Sequence, residues 1–280
     1  MFQKEIPILL VDDEPDVLAV TKLALRDCRV DGLPLKLYTA ASKAEAIELF
    51  DTALSHADQI NPAIAVAFID VVMETDTAGL ELCEYIREEL AKPAMQIFIR
   101  TGHPGVAPER EVIDRYEING YFTKVETTED KLYSLVRSGV RQAYSMSLPL
   151  ALSDALDSLI TVSESREAMA QAQLETLERW RVDFKNGLIL DGKVITYGWD
   201  EQELRTMREH MDQLESNPLS PGGDKWAVDG NDLYIKVAAS PTTSEAHYLT
   251  SPYAPLPEWC IVLLYKYVRA VAKLWRKAAG

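Results

Sequence analysis

A doubly wound α/β domain, a helical stretch and a small α+β domain are predicted from three features of this 280-residue chain. Short apolar runs alternate five times with amphipathic stretches up to about residue 145. A helix-permissive stretch without strand signals occupies 146–182, and two hairpin signals with two helical patterns fill 183–280. The predicted domains are therefore 1–145 and 183–280, joined by a helical linker over 146–182.

The five apolar runs are Ile6–Val11, Leu35–Tyr38, Ile64–Ile69, Met95–Ile99 and Gly120–Phe122, with helical patterns starting near Pro15, Ser42, Gly79, Val106 and Thr128. Pro15 suits the first helical turn, where a missing N–H is no loss. Ser42 followed by Glu45 has the spacing of a capping box. Strands alternating with helices imply a parallel sheet covered on both faces, and right-handed crossovers wind it in both directions. In such a sheet, function collects at the carboxyl ends of the strands. Those ends are polar here. The first run leads into Asp12, Asp13 and Glu14, the third into Asp70, the fourth ends at Thr101, and the fifth reaches Lys124.

Carboxylates converging on one pocket repel one another unless a cation is present, and an oxygen-only ligand set suits Mg²⁺. A lysine ammonium and a threonine hydroxyl match the oxygens of a phosphoryl group. The predicted chemistry is nucleophilic attack by Asp70 on phosphorus to give an aspartyl phosphate, with Mg²⁺ and Lys124 neutralising the oxygens.

Residues 6–143 resemble the receiver domain of two-component response regulators. The resemblance implies a flavodoxin-like strand order 2-1-3-4-5, and metal binding by Asp12, Asp13, Asp70 and the backbone carbonyl of Val72. It further implies phosphorylation of Asp70, a paired lysine at Lys124, and a switch pair in Thr101 and Tyr121. A sensor histidine kinase or phosphotransfer protein would be the phosphodonor. Two departures stand out. The loop "DVVMETDTAGL" places Glu74 where many receivers have proline and reaches Gly79 one residue late, and Val125 follows Lys124 where most have proline. "RTGHPGVAPE" and "VVMETDTAG" also resemble a receiver subfamily found ahead of a sensory-type domain and a nucleotide-signalling output.

Pro149 is expected to end the last receiver helix or to lie just beyond it. Over 151–181 the apolar residues do not sustain a heptad, so the helix either pairs between protomers as a homodimer or packs on its own chain. "GLILDGKVITYG" signals a hairpin at Asp191-Gly192, and "WAVDGNDLYIKVA" a second one. Asp200 and Glu203 start a helix, the stretch from Ser240 to Pro257 reads as loop, and a terminal helix runs from about Glu258 to Ala278. Gly222-Gly223-Asp224 is similar to a cyclase signature, but Lys and Trp follow it, so a turn is expected. The chain has neither a His-Asp dipeptide nor a phosphate-binding loop. His210 and His247 are isolated and are read as surface or core histidines.

The net charge is −15, with 25 acidic against 15 basic residues in 1–145, which speaks against broad contact with DNA or anionic membrane. Lys266, Arg269, Lys273 and Lys277 lie on one face of the terminal helix, but 183–280 carries only 11 basic residues against 13 acidic ones. A protein target is therefore expected, docking near Trp259 and Trp275, with DNA-binding regulation or an unrecognised nucleotide-signalling enzyme as alternatives. Cys28, Cys83 and Cys260 are too scattered for a disulfide framework or zinc site. No apolar run is long enough to span a membrane, and a cytoplasmic location is expected. The chain is expected not to be an enzyme beyond taking up its own phosphoryl group.

Overall fold

The computed structural model describes residues 3–52, 63–102, 109–179 and 184–278. The chain divides into two units, one of Glu5–Ser147 and one formed chiefly by Leu148–Gly280. The residues expected as a linker belong to the second unit from Leu148 onward.

In the first unit β1 (Ile6–Val11), β3 (Leu33–Ala40), β4 (Val66–Ile69), β5 (Gln96–Thr101) and β6 (Gly120–Thr123) form a parallel sheet ordered β3-β1-β4-β5-β6. This is the predicted doubly wound order. Every residue of β1, β4 and β5 is buried, so these strands read as continuous apolar runs, as strands covered on both faces must. A short strand absent from the prediction, β2 (Arg29–Val30), pairs antiparallel with β3 at the sheet edge. Its turn, Asp31-Gly32, has φ of 51° and 86°, the two consecutive left-handed residues of a tight hairpin.

Helices α1 (Pro15–Leu25), α2 (Lys43–Asp51), α3 (Ala78–Glu84), α4 (Glu109–Tyr116) and α5 (Glu129–Thr161) connect or follow the strands. Pro15 opens α1 as expected. The side chain of Ser42 accepts from the Glu45 N–H at the start of α2, while Glu45 accepts from Ala41 N–H at 2.8 Å. The expected start near Val106 lies outside the described residues. Pro149 does not end α5: the helix runs through it for 33 residues. Proline removes one N–H from the helical ladder, yet Leu148, Ala151, Leu152, Ala155 and Leu159 are all buried, and that burial carries the helix onward.

The second unit contains α6 (Arg166–Arg179) and an antiparallel sheet of β7 (Asn186–Leu190), β8 (Lys193–Tyr197), β9 (Asn217–Pro218), β10 (Lys225–Asp229), β11 (Asp232–Val237) and β12 (Ala246–Thr250). The order is β8-β7-β12-β11-β10-β9. Both predicted hairpins are present, as is α7 (Glu201–Asp212) with a complete Asp200/Glu203 capping box. The terminal helix, α8, spans Glu258–Lys277. One expectation is corrected. The segment read as loop from Ser240 to Pro257 contains β12, a wholly buried strand lying between β7 and β11. Buried on both faces, it shows no polar alternation to mark it.

Ile189, Trp199, Leu204, Met211, Ala227, Tyr234 and Leu249 form the core under α7. A polar network lies beside it. The Tyr234 hydroxyl is 2.8 Å from His247 Nδ1 and 3.3 Å from Asp212 Oδ1, and Lys225 Nζ is 2.9 Å from Asp212. Burial depresses the His247 pKa to about 4, although Glu245, 3.4 Å from Nε2, pulls the other way; Lys236 and Arg208 add to the depression, and Asp212 opposes it. Because the unfolded chain then binds a proton between about pH 6.5 and 4 that the folded chain does not, stability falls as pH drops through that window. Denaturant melts at pH 7 and pH 5 should show this loss, and His247→Gln should flatten it.

Candidate functional site

The strand register assembles the site. Val11 is opposite Ile69 and Thr101 is opposite Thr123, so Asp12, Asp70 and Lys124 each stand one residue beyond a ladder pair. The backbone ladder continues over the edge: Asp70 N–H donates to Val11 O at 2.9 Å and Lys124 N–H to Thr101 O at 2.8 Å. Asp12, Asp70 and Thr101 are buried, at 5%, 3% and 0% exposure.

Lys124 occupies the middle. Its Nζ lies 2.7 Å from Asp70 Oδ2, 3.0 Å from Asp12 Oδ2 and 2.6 Å from Glu14 Oε1. Burial favours loss of its proton, but the hydrogen bonds to Asp70, Glu14 and Asp12 outweigh that and raise its pKa well above the usual lysine value. Burial pushes the Asp12 carboxyl up, opposed by Lys124 and by the Glu14 N–H, which donates to Asp12 Oδ1 at 3.0 Å. The second oxygen of Asp70, Oδ1, accepts from Val71 N–H at 2.7 Å.

Asp12, Glu14 and Asp70 place ligand oxygens within 4.8 Å of one another. Glu14, which the motif reading did not assign, is in this group, whereas Asp13 is exposed and outside it. Glu14 could have been found as the third carboxylate of the run after β1. Buried carboxylates held together by one ammonium fit a divalent cation, because a second positive charge would relieve the repulsion that Lys124 leaves.

Two further features shape the pocket. A Cβ on Gly79 would come within 1.8 Å of the Asp70 carbonyl oxygen, so only glycine lets the start of α3 approach the strand end this closely. Glu74, where many receivers have proline, accepts from the Lys43 N–H at 3.0 Å and ties the long loop to the start of α2. Tyr121 is 9% exposed and packs in the core, where its hydroxyl has no hydrogen-bond partner among the described residues. Most of the "RTGHPGVAPE" segment lies outside the described residues.

The other candidates are structural in their contacts. Asp224 is buried, accepts from Ala238 N–H at 2.9 Å and Tyr265 hydroxyl at 2.7 Å, and anchors a loop to α8. His210 is on the surface, 2.9 Å from Asp229. The expected docking surface at Trp275 is corrected: this side chain is 3% exposed and belongs to the core, because the apolar face of α8 turns inward. Lys266, Arg269, Lys273 and Lys277 do lie exposed. Among the described residues no helix is long and apolar enough to cross a membrane.

No family model matches the chain. The 3'3'-cGAMP-specific phosphodiesterase 2 of Vibrio cholerae serotype O1 is 37% identical over 169 residues, 59% of this chain and 31% of that protein. This chain thus spans about a third of the relative's length. The response regulator receiver domain protein of Clostridium thermocellum covers 50% of this chain and 98% of its own, with 22% identity and a TM-score of 0.40. The signal receiver domain of an HD domain-containing protein from Pseudomonas fluorescens Pf-5 covers 52% and 94%, with 19% identity and a TM-score of 0.42.

The strand order of the first unit is itself that of the expected receiver fold. The match to the Vibrio protein is longer than Glu5–Ser147, so the likeness runs on into the second unit, where the motif reading saw none. The same relative corrects the expectation that the chain is not an enzyme, for the protein it resembles is named as one.

Gly79→Ala should destabilise the first unit by about 1–3 kcal/mol, since the clash is with backbone and no side-chain rotation relieves it. Urea denaturation measures this. Tyr121→Phe removes a buried hydroxyl that has no partner among the described residues, so stability should stay level or rise by up to about 1 kcal/mol. A clear loss in the same melt would show that the hydroxyl has a partner.

Proposed function

We propose that the first unit accepts a phosphoryl group on Asp70, with a divalent cation bound beside it, and that this event governs a nucleotide-signalling output. The observation that carries the reading is Lys124 Nζ, held 2.7 Å from Asp70 and 3.0 Å from Asp12 at the carboxyl edge of a parallel sheet.

A carboxylate oxygen of Asp70 attacks phosphorus. The bond from phosphorus to the donor's leaving oxygen or nitrogen breaks, and its electron pair leaves with the donor. Lys124 neutralises charge on the phosphoryl oxygens, and the Thr101 hydroxyl supplies a hydrogen bond. The Val71 N–H holds Oδ1 and orients the nucleophile. Asp12, Asp70 and Glu14 are the residues placed to hold Mg²⁺, with Asp13 and the Val72 carbonyl as further ligands implied by the receiver pattern. A bound Mg²⁺ would supply charge neutralisation for the phosphoryl group. A sensor histidine kinase or phosphotransfer protein is the donor this chemistry calls for.

The nature of the output rests on the Vibrio relative, whose name specifies hydrolysis of a cyclic dinucleotide. A net charge of −15 speaks against DNA as the target.

With an acyl-phosphate donor and Mg²⁺, the full chain should take up one phosphoryl group by mass spectrometry, and Asp70→Asn should take up none. Stoichiometric labelling of that variant would show the acceptor is another residue. Incubating the chain with 3'3'-cGAMP, with and without a beryllofluoride mimic, tests the output separately. The expected outcome is binding or turnover that changes with the mimic.

A further inference from the structure

We propose that Arg100 is a positioning residue whose permanent charge, buried behind the acidic pocket, offsets Asp12 and Asp70 and thereby sets how tightly the pocket takes a divalent cation. This rests on the reading above, that the pocket is a cation site.

Arg100 precedes Thr101 on β5, and strand alternation sends the two side chains to opposite faces of the sheet. Thr101, at the end of the strand, is wholly buried. Arg100 enters from the other face, where it lines a small cavity together with Leu10, Asp12, Val17, Thr21 and Asp70. It is 8% exposed, a burial that is unfavourable for a guanidinium unless opposite charge lies near.

Its partners show what that compensation is. Nη1 donates to Thr21 Oγ1 at 2.7 Å, and Thr21 in turn donates to Val17 O at 2.7 Å, which leaves its oxygen lone pairs turned to the arginine. Among the described residues no carboxylate lies within ion-pair distance of Arg100. Burial lowers the Arg100 pKa, and the charges that oppose this are Asp12 and Asp70. The arginine is thus held by a neutral hydroxyl on α1 while it acts on both buried carboxylates across the cavity.

This arrangement separates two roles. Lys124 is in direct contact with the carboxylates and must share them with any entering cation or phosphoryl group. Arg100 does not compete for their lone pairs, because it bonds to neither. It acts only through charge, weakening the field that attracts a divalent cation.

Isothermal titration of Mg²⁺ into the full chain tests this. Arg100→Met should bind Mg²⁺ roughly tenfold more tightly than the wild type, the order expected for removing one unit charge across a small, partly buried cavity. Arg100→Lys, which keeps the charge, should bind as the wild type does, and so should Thr21→Val. Equal affinity of Arg100→Met and wild type overturns the proposal. So does an equal change in Arg100→Met and Thr21→Val, which would make the hydrogen bond rather than the charge responsible. If Arg100→Met does not fold, Arg100→Gln, which also removes the charge but keeps a hydrogen-bond donor toward Thr21, decides: tighter Mg²⁺ binding supports the idea and unchanged affinity overturns it. Failure of the wild type to bind Mg²⁺ would instead sink the cation-pocket reading of the preceding subsection.

Discussion

The first unit depends on one ammonium group shared among three carboxylates. Lys124 Nζ touches Asp12, Glu14 and Asp70, groups contributed from beyond the ends of β1 and β4, while the lysine itself follows β6. Two of those carboxylates are almost completely buried, and without an opposite charge they would repel strongly enough to oppose closure of the strand ends. The pocket is therefore a point of electrostatic tension inside a well-packed sheet, with Lys124 as its direct counter-charge. A new charge entering there must redistribute those contacts.

That tension makes the surrounding packing matter. Gly79 allows α3 to lie against the Asp70 carbonyl, so the acceptor strand and the helix after it are in close backbone contact. Tyr121 sits in the same core, its hydroxyl without a hydrogen-bond partner among the described residues.

The second unit is built on a different principle. Its antiparallel sheet has α7 over one face, and beside the α7 core lies the closed polar network of Asp212, Lys225, Tyr234 and His247. Every member has a partner, in contrast with the strained carboxylate pocket. The basic residues of α8 stay on its outer face while its aromatic residues Tyr265, Tyr267 and Trp275 are buried.

The first fold was legible because its signals are local and repeated: buried strands as apolar runs, Pro15 and Ser42 at helix starts, and polar residues at strand ends. Asp12, Asp70, Thr101 and Lys124 could be named from spacing alone, since a parallel sheet brings the ends of its strands to one edge. The same logic found the Asp191-Gly192 hairpin and the Asp200 cap. Only tertiary structure decided the rest. It put Glu14 rather than Asp13 against Lys124, since the direction of a loop side chain is set by its surroundings. It made β12 a central strand, because a strand buried on both faces has no alternation to announce it. It carried α5 through Pro149 because burial outweighed one lost hydrogen bond. It also turned Trp275 inward, a choice that an amphipathic pattern leaves to whichever face the sheet covers.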